Sequence, residues 1–135
     1  AKGWEPKGLL AKIAAGARFA QTQFCMDPAL LRRYIARLRA CGVPKDFPII
    51  VGIAPLASAK SARWIVENLF GSIIPNATIE RLEGASDSKA EGEAIALELI
   101  RDYATIDGVA GAHIMAPLNE KAMPRLMEAA RKAIG

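Results

Sequence analysis

The fold is decided by residues 48–55, Pro48-Ile49-Ile50-Val51-Gly52-Ile53-Ala54-Pro55. A continuous apolar run of this kind is typical of a parallel strand that is buried on both faces. Downstream, Ser58 can cap a helix and Gly71 can end it. The apolar positions between them have the spacing of an amphipathic helix: Ala62, Ile65, Val66 and Leu69. This part of the chain therefore predicts a strand followed by a helix.

The preceding segment repeats the same order of elements. Residues 19–25, Phe19 to Cys25, are mostly apolar with aromatic and β-branched members, and predict a strand. Asp27 followed by Pro28 is typical of a helix start, because aspartate caps the first turn and proline suits the first helical position. The helical period continues through Leu30, Leu31, Tyr34, Ile35 and Leu38. The helix should end at Cys41-Gly42, where glycine accommodates a left-handed cap.

A third strand is predicted near the end of the chain. Pro75 is expected to begin a turn, which leads to the capping-box pattern Ser88-Lys89-Ala90-Glu91 and a helix to about Ala104. Residues 109–115, Val109 to Met115, are small and apolar and predict the strand. Because Pro124 lacks an N–H, we expect a short turn at 119–122 and a regular helix only from about Met123.

Strands that alternate with helices predict an α/β fold with a parallel sheet and right-handed crossovers. Three such units leave both outer strands of the sheet unpaired, which a soluble protein seldom tolerates. The chain has 135 residues, too few for an eight-stranded barrel. We therefore expect residues 1–135 to be a single partial domain that other chains, other copies or a missing segment complete. The start at Ala1, without methionine, favours a fragment.

Composition excludes several classes of protein. The net charge is +4, but Arg32, Arg33, Arg37 and Arg39 share the polar side of one amphipathic segment and no aromatic residues alternate with them. We interpret this as a solvated helix face and expect no binding to nucleic acid. No apolar run is long enough to span a bilayer, and the first residues lack the apolar core of a signal peptide. A cytoplasmic protein that does not enter the membrane is predicted.

The sequence offers no metal site. Cys25 and Cys41 have no metal-ligand spacing, and the single histidine, His113, cannot complete a zinc site. We interpret the cysteines as small buried side chains in a reducing compartment, with a reactive thiol at Cys25 as the alternative. His113 lies in a glycine-rich strand and is interpreted as a hydrogen-bonded core residue rather than a general acid.

Short motifs follow one another over nearly the whole chain. They are Lys12 with Ala15-Gly16-Ala17, Thr22-Gln23-Phe24 with Asp27, Cys41-Gly42-Val43, Pro48-Ile49-Ile50-x-Gly52-Ile53-x-Pro55, Ile74-Pro75, Gly108-Val109-x-Gly111-x-His113, and Leu118-Asn119. In this order they resemble the methylenetetrahydrofolate reductases. The resemblance implies the C-terminal part of a (β/α)8 TIM barrel.

The resemblance also implies an activity. Enzymes of this family are flavoproteins of one-carbon metabolism and methionine biosynthesis. They bind FAD and pass a hydride from NAD(P)H, through the flavin, to 5,10-methylenetetrahydrofolate, which becomes 5-methyltetrahydrofolate. A folate substrate, the rest of the barrel and a homo-oligomer are the partners that the resemblance implies.

Three residues match functional positions of the family. Gln23 matches a glutamine that faces the flavin and contacts folate or nicotinamide, although it could simply bond a neighbouring loop. Lys12 matches a lysine that meets FAD, where a single positive charge suits the pyrophosphate, although it could simply be solvated. Asn119 matches an asparagine near the folate, and a helix cap explains it equally well. The catalytic residues remain unknown, because the acidic residues of the family lie in the first half of the barrel.

The chain also departs from the family pattern. Glu120 stands where many members carry an arginine toward the folate, and Ser61 and Ile65 replace a common glutamine and phenylalanine. Two alternatives to the reductase therefore stay open. One is a non-catalytic half-barrel that keeps the scaffold, and the other is a related flavoenzyme that acts on another methyl carrier.

Overall fold

A computed structural model describes residues 3–134 of the chain, so Ala1 lies outside the described residues. The described part contains three parallel strands, six α-helices and one 3-10 helix. In chain order they are α1 (Lys7–Ala14), β1 (Ala20–Phe24), α2 (Pro28–Ala40), β2 (Ile49–Ile53), α3 (Ala59–Asn68), α4 (Asn76–Glu83), α5 (Ser88–Tyr103), β3 (Val109–Ile114), the 3-10 helix Glu120–Ala122 and α6 (Met123–Ile134).

The sheet has the order β1-β2-β3, and both pairs of strands are parallel. Ala20 is in register with Ile49, and Ile49 with Val109. Consecutive strands that lie side by side with helical connections are the arrangement of a (β/α) barrel. The α/β class and parallel sheet are confirmed, and the three strands are consistent with part of a barrel.

Local helix signals were predicted correctly where side chains cap the first turn. Asp27 accepts a 3.1 Å hydrogen bond from the Leu30 N–H at the start of α2. Ser58 and Ser61 form a reciprocal capping box at the start of α3. The turn before Pro124 is confirmed as well, since the 3-10 helix ends at Ala122 and α6 begins at Met123.

Two predictions between β2 and β3 were wrong. Pro75 begins a helix, α4, instead of only a turn, because the apolar side of α4 packs into the core through Leu82. The capping box at Ser88 does not form. Asp87 caps α5 by accepting from the Ala90 N–H at 3.1 Å, and the Ser88 hydroxyl donates to the Ala57 carbonyl at 2.8 Å.

The core lies between the sheet and the helices, and α5 comes unusually close to the chain after β2. A Cβ atom added to Gly92 would lie 1.6 Å from the Leu56 carbonyl oxygen. Gly92 and Leu56 are both buried. Only glycine therefore permits this approach between α5 and the segment that follows β2.

The arginines of α2 do more than solvate a helix face, which corrects the sequence-based interpretation. Arg32 forms a bidentate ion pair with Asp102 of α5, in which the shortest nitrogen–oxygen distance is 2.7 Å. Arg39 donates to the carbonyl oxygens of Phe47 at 3.2 Å and Gly108 at 3.5 Å, and also bonds that of Pro44. These guanidinium groups fasten α2 to α5 and to the loops that lead into β2 and β3. No helix in the described residues is long and apolar enough to cross a membrane.

Candidate functional site

Strand β1 carries an irregularity directly before its carboxyl end. Gln21 is in register with Ile50 and Phe24 with Gly52, so three steps along β1 match two steps along β2. The extra residue is a β-bulge, which bends a strand and redirects its side chains. The bulge comprises Thr22 and Gln23.

Side chains complete the hydrogen bonding around the bulge. The Gly52 N–H donates to the Thr22 hydroxyl oxygen at 3.1 Å, and that hydroxyl donates to the Gln23 carbonyl at 2.7 Å. A Cβ atom on Gly52 would lie 3.0 Å from the carbonyl carbon and oxygen of Gln23. The Thr22 hydroxyl therefore holds the Gln23 backbone, and the absence of a side chain at Gly52 leaves room for it.

Gln23 lies at the carboxyl side of β1, and its side chain is exposed. Its Oε1 accepts a hydrogen bond from the Phe24 N–H at 3.0 Å. The alternative that Gln23 bonds a neighbouring loop is wrong, because its side-chain oxygen bonds its own strand. Among the described residues no group accepts from its amide NH2, which leaves two donors directed away from the backbone.

Four long-range hydrogen bonds fix the chain just after Gln23. Ile73 donates its N–H to the Phe24 carbonyl at 2.8 Å and accepts from the Met26 N–H at 2.9 Å. The Cys25 N–H donates to the Gly52 carbonyl on β2. Because peptide groups alternate along a strand, the N–H groups of Phe24 and Met26 point to the opposite edge of β1. Tyr103 donates a 2.6 Å hydrogen bond to the Cys25 carbonyl. The end of β1 is thus held on both edges.

A groove of about 550 Å³ runs along the open side of β1 between α1 and α2. Lys12 and Gln23 both line it. Most of the remaining lining is apolar, and it includes the exposed ring of Phe19 and the side chains of Leu9, Leu30 and Tyr34. The structure therefore brings Lys12 and Gln23 to one groove from two different elements. A cation, a free amide and an apolar wall can together hold a flat ligand with an anionic group.

Asn119 does not line this groove. Its side-chain NH2 donates to the Pro55 carbonyl at 2.8 Å, which ties the loop after β3 to the loop after β2. The alternative of a helix cap is wrong, because Asn119 precedes the 3-10 helix without a capping side-chain bond. The preceding residue, Leu118, has a positive φ of 64°, an unusual conformation for leucine. Asn119 thus holds a strained loop at the same edge of the sheet as Gln23.

The remaining candidate residues are the two cysteines and His113. Cys25 is buried, and burial raises the pKa of its thiol, which disfavours the thiolate that a reactive cysteine needs. Both cysteines are free thiols; the prediction of a buried side chain is confirmed for Cys25 and wrong for Cys41, which is only half-buried. His113 is half-buried and its imidazole forms no hydrogen bond with the described residues, so its interpretation as a hydrogen-bonded core residue was wrong. No group of metal ligands occurs in residues 3–134.

Sequence patterns did not indicate several residues of the site. Thr22 belongs to a recognisable motif, but the bulge that gives it a role depends on the register with β2. Tyr103 and Ile73 reach β1 from distant parts of the chain. No local signal could have found them.

Comparison with known proteins identifies a family for this chain. A family model described as methylenetetrahydrofolate reductase matches residues 3–131, nearly the whole chain. A search of curated proteins found no match. The family match confirms the resemblance drawn from the short motifs. The chain belongs to the methylenetetrahydrofolate reductase family.

Proposed function

We propose that this chain forms part of a flavin-dependent oxidoreductase that reduces 5,10-methylenetetrahydrofolate to 5-methyltetrahydrofolate with NAD(P)H. Family membership suggests a folate-related oxidoreductase. The observation that carries the finer proposal is that Lys12 and Gln23, which match the FAD and folate positions of the family, line one groove.

The groove suits the chemical character of FAD. Its apolar wall and the exposed ring of Phe19 match a flat aromatic ring system. Lys12 is exposed on the last turn of α1, where its ammonium group can meet a diphosphate. The donor set and the apolar surface therefore fit the cofactor.

Bound in this groove, FAD would supply the redox chemistry by accepting a hydride from NAD(P)H and passing it to the folate. The chain's own residues would bind and orient. Lys12 supplies a positive charge, and the Gln23 amide donates to a carbonyl at the edge of the flavin or pterin ring. Because the Gln23 oxygen is bonded to the Phe24 N–H, the donor face of the amide is the one that a ligand meets.

The remaining parts of such a site lie outside this chain. Within the described residues β1 and β3 have no further strand along their outer edges, apart from the bridge between Cys25 and Ile73. Five more strands would close an eight-stranded barrel, and the first half would contribute the acidic residues and most flavin contacts of the family. We propose that this half, or further copies of the chain, completes the fold. A strand that pairs along the outer edge of β1 would fill part of the groove, so the flavin would occupy the part of it that the added strand leaves open beside Gln23.

Glu120 favours a second candidate, a non-catalytic scaffold. It is exposed in the 3-10 helix directly after Asn119, where a carboxylate would repel the glutamate tail of a folate. A scaffold of this kind would bind no flavin. A related flavoenzyme for another methyl carrier would bind flavin but would not respond to folates.

The visible absorption spectrum of the purified protein, recorded together with its intact mass, tests the flavin proposal. We expect a yellow protein whose flavin bands bleach on anaerobic addition of NADH or NADPH, and a mass above the 14.4 kDa of this chain. A colourless 14.4 kDa protein that binds no added FAD would overturn the proposal and favour the scaffold.

A further inference from the structure

Thr22 has no role in the proposed function so far, although its side chain is the centre of the bulge in β1. It is half-buried and bonds both strands: its hydroxyl accepts from the Gly52 N–H at 3.1 Å and donates to the Gln23 carbonyl at 2.7 Å. A bulge disturbs the regular ladder, and a buried N–H without a partner is costly. The Thr22 hydroxyl provides that partner for Gly52.

We propose that Thr22 is a positioning residue that holds Gln23 at the groove, with Gly52 as the site that permits this arrangement. The inference rests on the proposed function in one respect, since Gln23 is the residue that would meet the flavin or folate. Whether Thr22 positions Gln23 can be tested independently of the proposed function.

The bulge sets where Gln23 can lie. Without the extra residue, Gln23 would stand opposite Gly52, because Gln21 stands opposite Ile50. In the observed register Phe24 takes that place, and Gln23 occupies the bulge. The Gln23 side chain then reaches the Phe24 N–H, which leaves its NH2 group free. Register, backbone and side-chain orientation of Gln23 therefore depend on one another.

Gly52, on the opposite strand, also limits where the Gln23 backbone can lie. An added Cβ would lie 3.0 Å from the Gln23 carbonyl carbon and oxygen, and 3.1 Å from the Met115 methyl carbon. The methionine side chain can move, but the Gln23 backbone is held by Thr22 and by the contacts after it. A methyl group at Gly52 must therefore displace Gln23 by a few tenths of an ångström.

A purely structural role for Thr22 makes a different prediction. In that case, loss of the Thr22 hydroxyl would lower the stability of the protein without a specific effect on the Gln23 amide. This chain contains two glutamines, Gln21 and Gln23. In isotope-labelled protein, the glutamine amide resonances that disappear in Gln23→Ala are those of Gln23. These resonances can be followed with or without a bound cofactor.

The experiment compares Thr22→Val, which removes the hydroxyl, with Thr22→Ser, which keeps it, in the protein with its complete barrel and bound flavin. We expect Thr22→Val to shift or broaden the Gln23 amide signals and to lower kcat/KM on the order of tenfold to a hundredfold, as displaced catalytic contacts do. Thr22→Ser should restore both. Thr105→Val is the matched control, because it removes an exposed threonine hydroxyl that bonds the backbone carbonyl of Asp102, outside β1.

Comparison with Gln23→Ala separates the two proposals. If Thr22 acts through Gln23, the double variant Thr22→Val/Gln23→Ala should be no slower than Gln23→Ala alone. Wild-type amide signals and kcat/KM in Thr22→Val would overturn the inference. Displaced Gln23 signals in Thr22→Val, with no effect of Gln23→Ala on turnover, would support positioning by Thr22 and overturn the proposed role of Gln23.

Discussion

The Tyr103 hydroxyl donates a 2.6 Å hydrogen bond to the carbonyl oxygen of Cys25, 78 residues earlier in the chain. The tyrosine side chain is almost fully buried at the end of α5, and Cys25 directly follows β1. This bond joins the crossover helix to the strand end that carries Gln23. It therefore connects the stability of the fold to the geometry of the groove.

Tyr103→Phe should lower the free energy of unfolding by about 1–3 kcal/mol, because it leaves the Cys25 carbonyl without its partner in a buried place. Urea denaturation followed by circular dichroism measures the change. Tyr34→Phe is the matched control, since Tyr34 is only half-buried and its hydroxyl bonds none of the described residues. Equal stability of Tyr103→Phe and the wild type would contradict the structural role of this bond.

The stability of the fold should also fall at alkaline pH. Burial raises the pKa of Tyr103 in the folded protein. In the unfolded chain the phenol ionises near its ordinary pKa of about 10, so the unfolded state releases a proton that the folded state keeps. The contribution of Tyr103 is therefore fully present below about pH 10 and is lost as the pH rises toward the folded pKa.

Denaturation at a series of pH values up to about 11 checks this dependence. One proton corresponds to a slope of up to about 1.4 kcal/mol per pH unit. Burial also raises the pKa values of Tyr34 and Cys25, so the difference between the wild type and Tyr103→Phe isolates the contribution of Tyr103. Parallel pH profiles for the two proteins would show that Tyr103 does not contribute.

Gly92→Ala should be among the most damaging substitutions in the chain. The added methyl group would lie 1.6 Å from the Leu56 carbonyl oxygen, a backbone atom that cannot move without shifting the chain after β2. We expect a loss above about 4 kcal/mol or no folded protein. Gly8→Ala is the control in another helix, because its methyl group meets nothing within 4 Å and should be neutral or stabilising. Similar stability of the two variants, by urea denaturation, would contradict the close approach of α5.

Arg39→Ala should destabilise the fold by about 1–3 kcal/mol, because hydrogen bonds from a charged guanidinium to the carbonyls of Phe47 and Gly108 are lost. Arg33 lies on the same helix, is exposed and forms no ion pair with the described residues. Arg33→Ala should change the stability by less than about 0.5 kcal/mol. Thermal denaturation of both variants provides the comparison, and equal effects would show that α2 presents only a solvated face.

The elements that local chemistry determines were predictable from the sequence. The caps at Asp27 and Ser58 depend on residues within three positions, and the apolar run from Ile49 needs no partner to be recognised. Helix α4 was missed because Pro75 is equally suited to a turn, and only the packing of Leu82 decides between them.

The candidate site was less predictable because its geometry depends on contacts between distant residues. Lys12 and Gln23 were found through motifs, and the groove that joins them is a property of the folded chain. Asn119 was identified as a cap or folate contact, but its bond to Pro55 spans 64 residues. The bulge at Thr22 likewise depends on the register between β1 and β2, for which the sequence of β1 alone gives no signal.

The most direct test of the reductase proposal is the anaerobic reoxidation of the reduced flavoprotein by 5,10-methylenetetrahydrofolate, followed by the flavin absorbance, with 5-methyltetrahydrofolate quantified as the product. We expect reoxidation with one product per flavin, slowed by Gln23→Ala. A protein whose reduced flavin persists in the presence of the folate would contradict the reductase and favour another methyl carrier, and a protein without flavin would favour a non-catalytic scaffold.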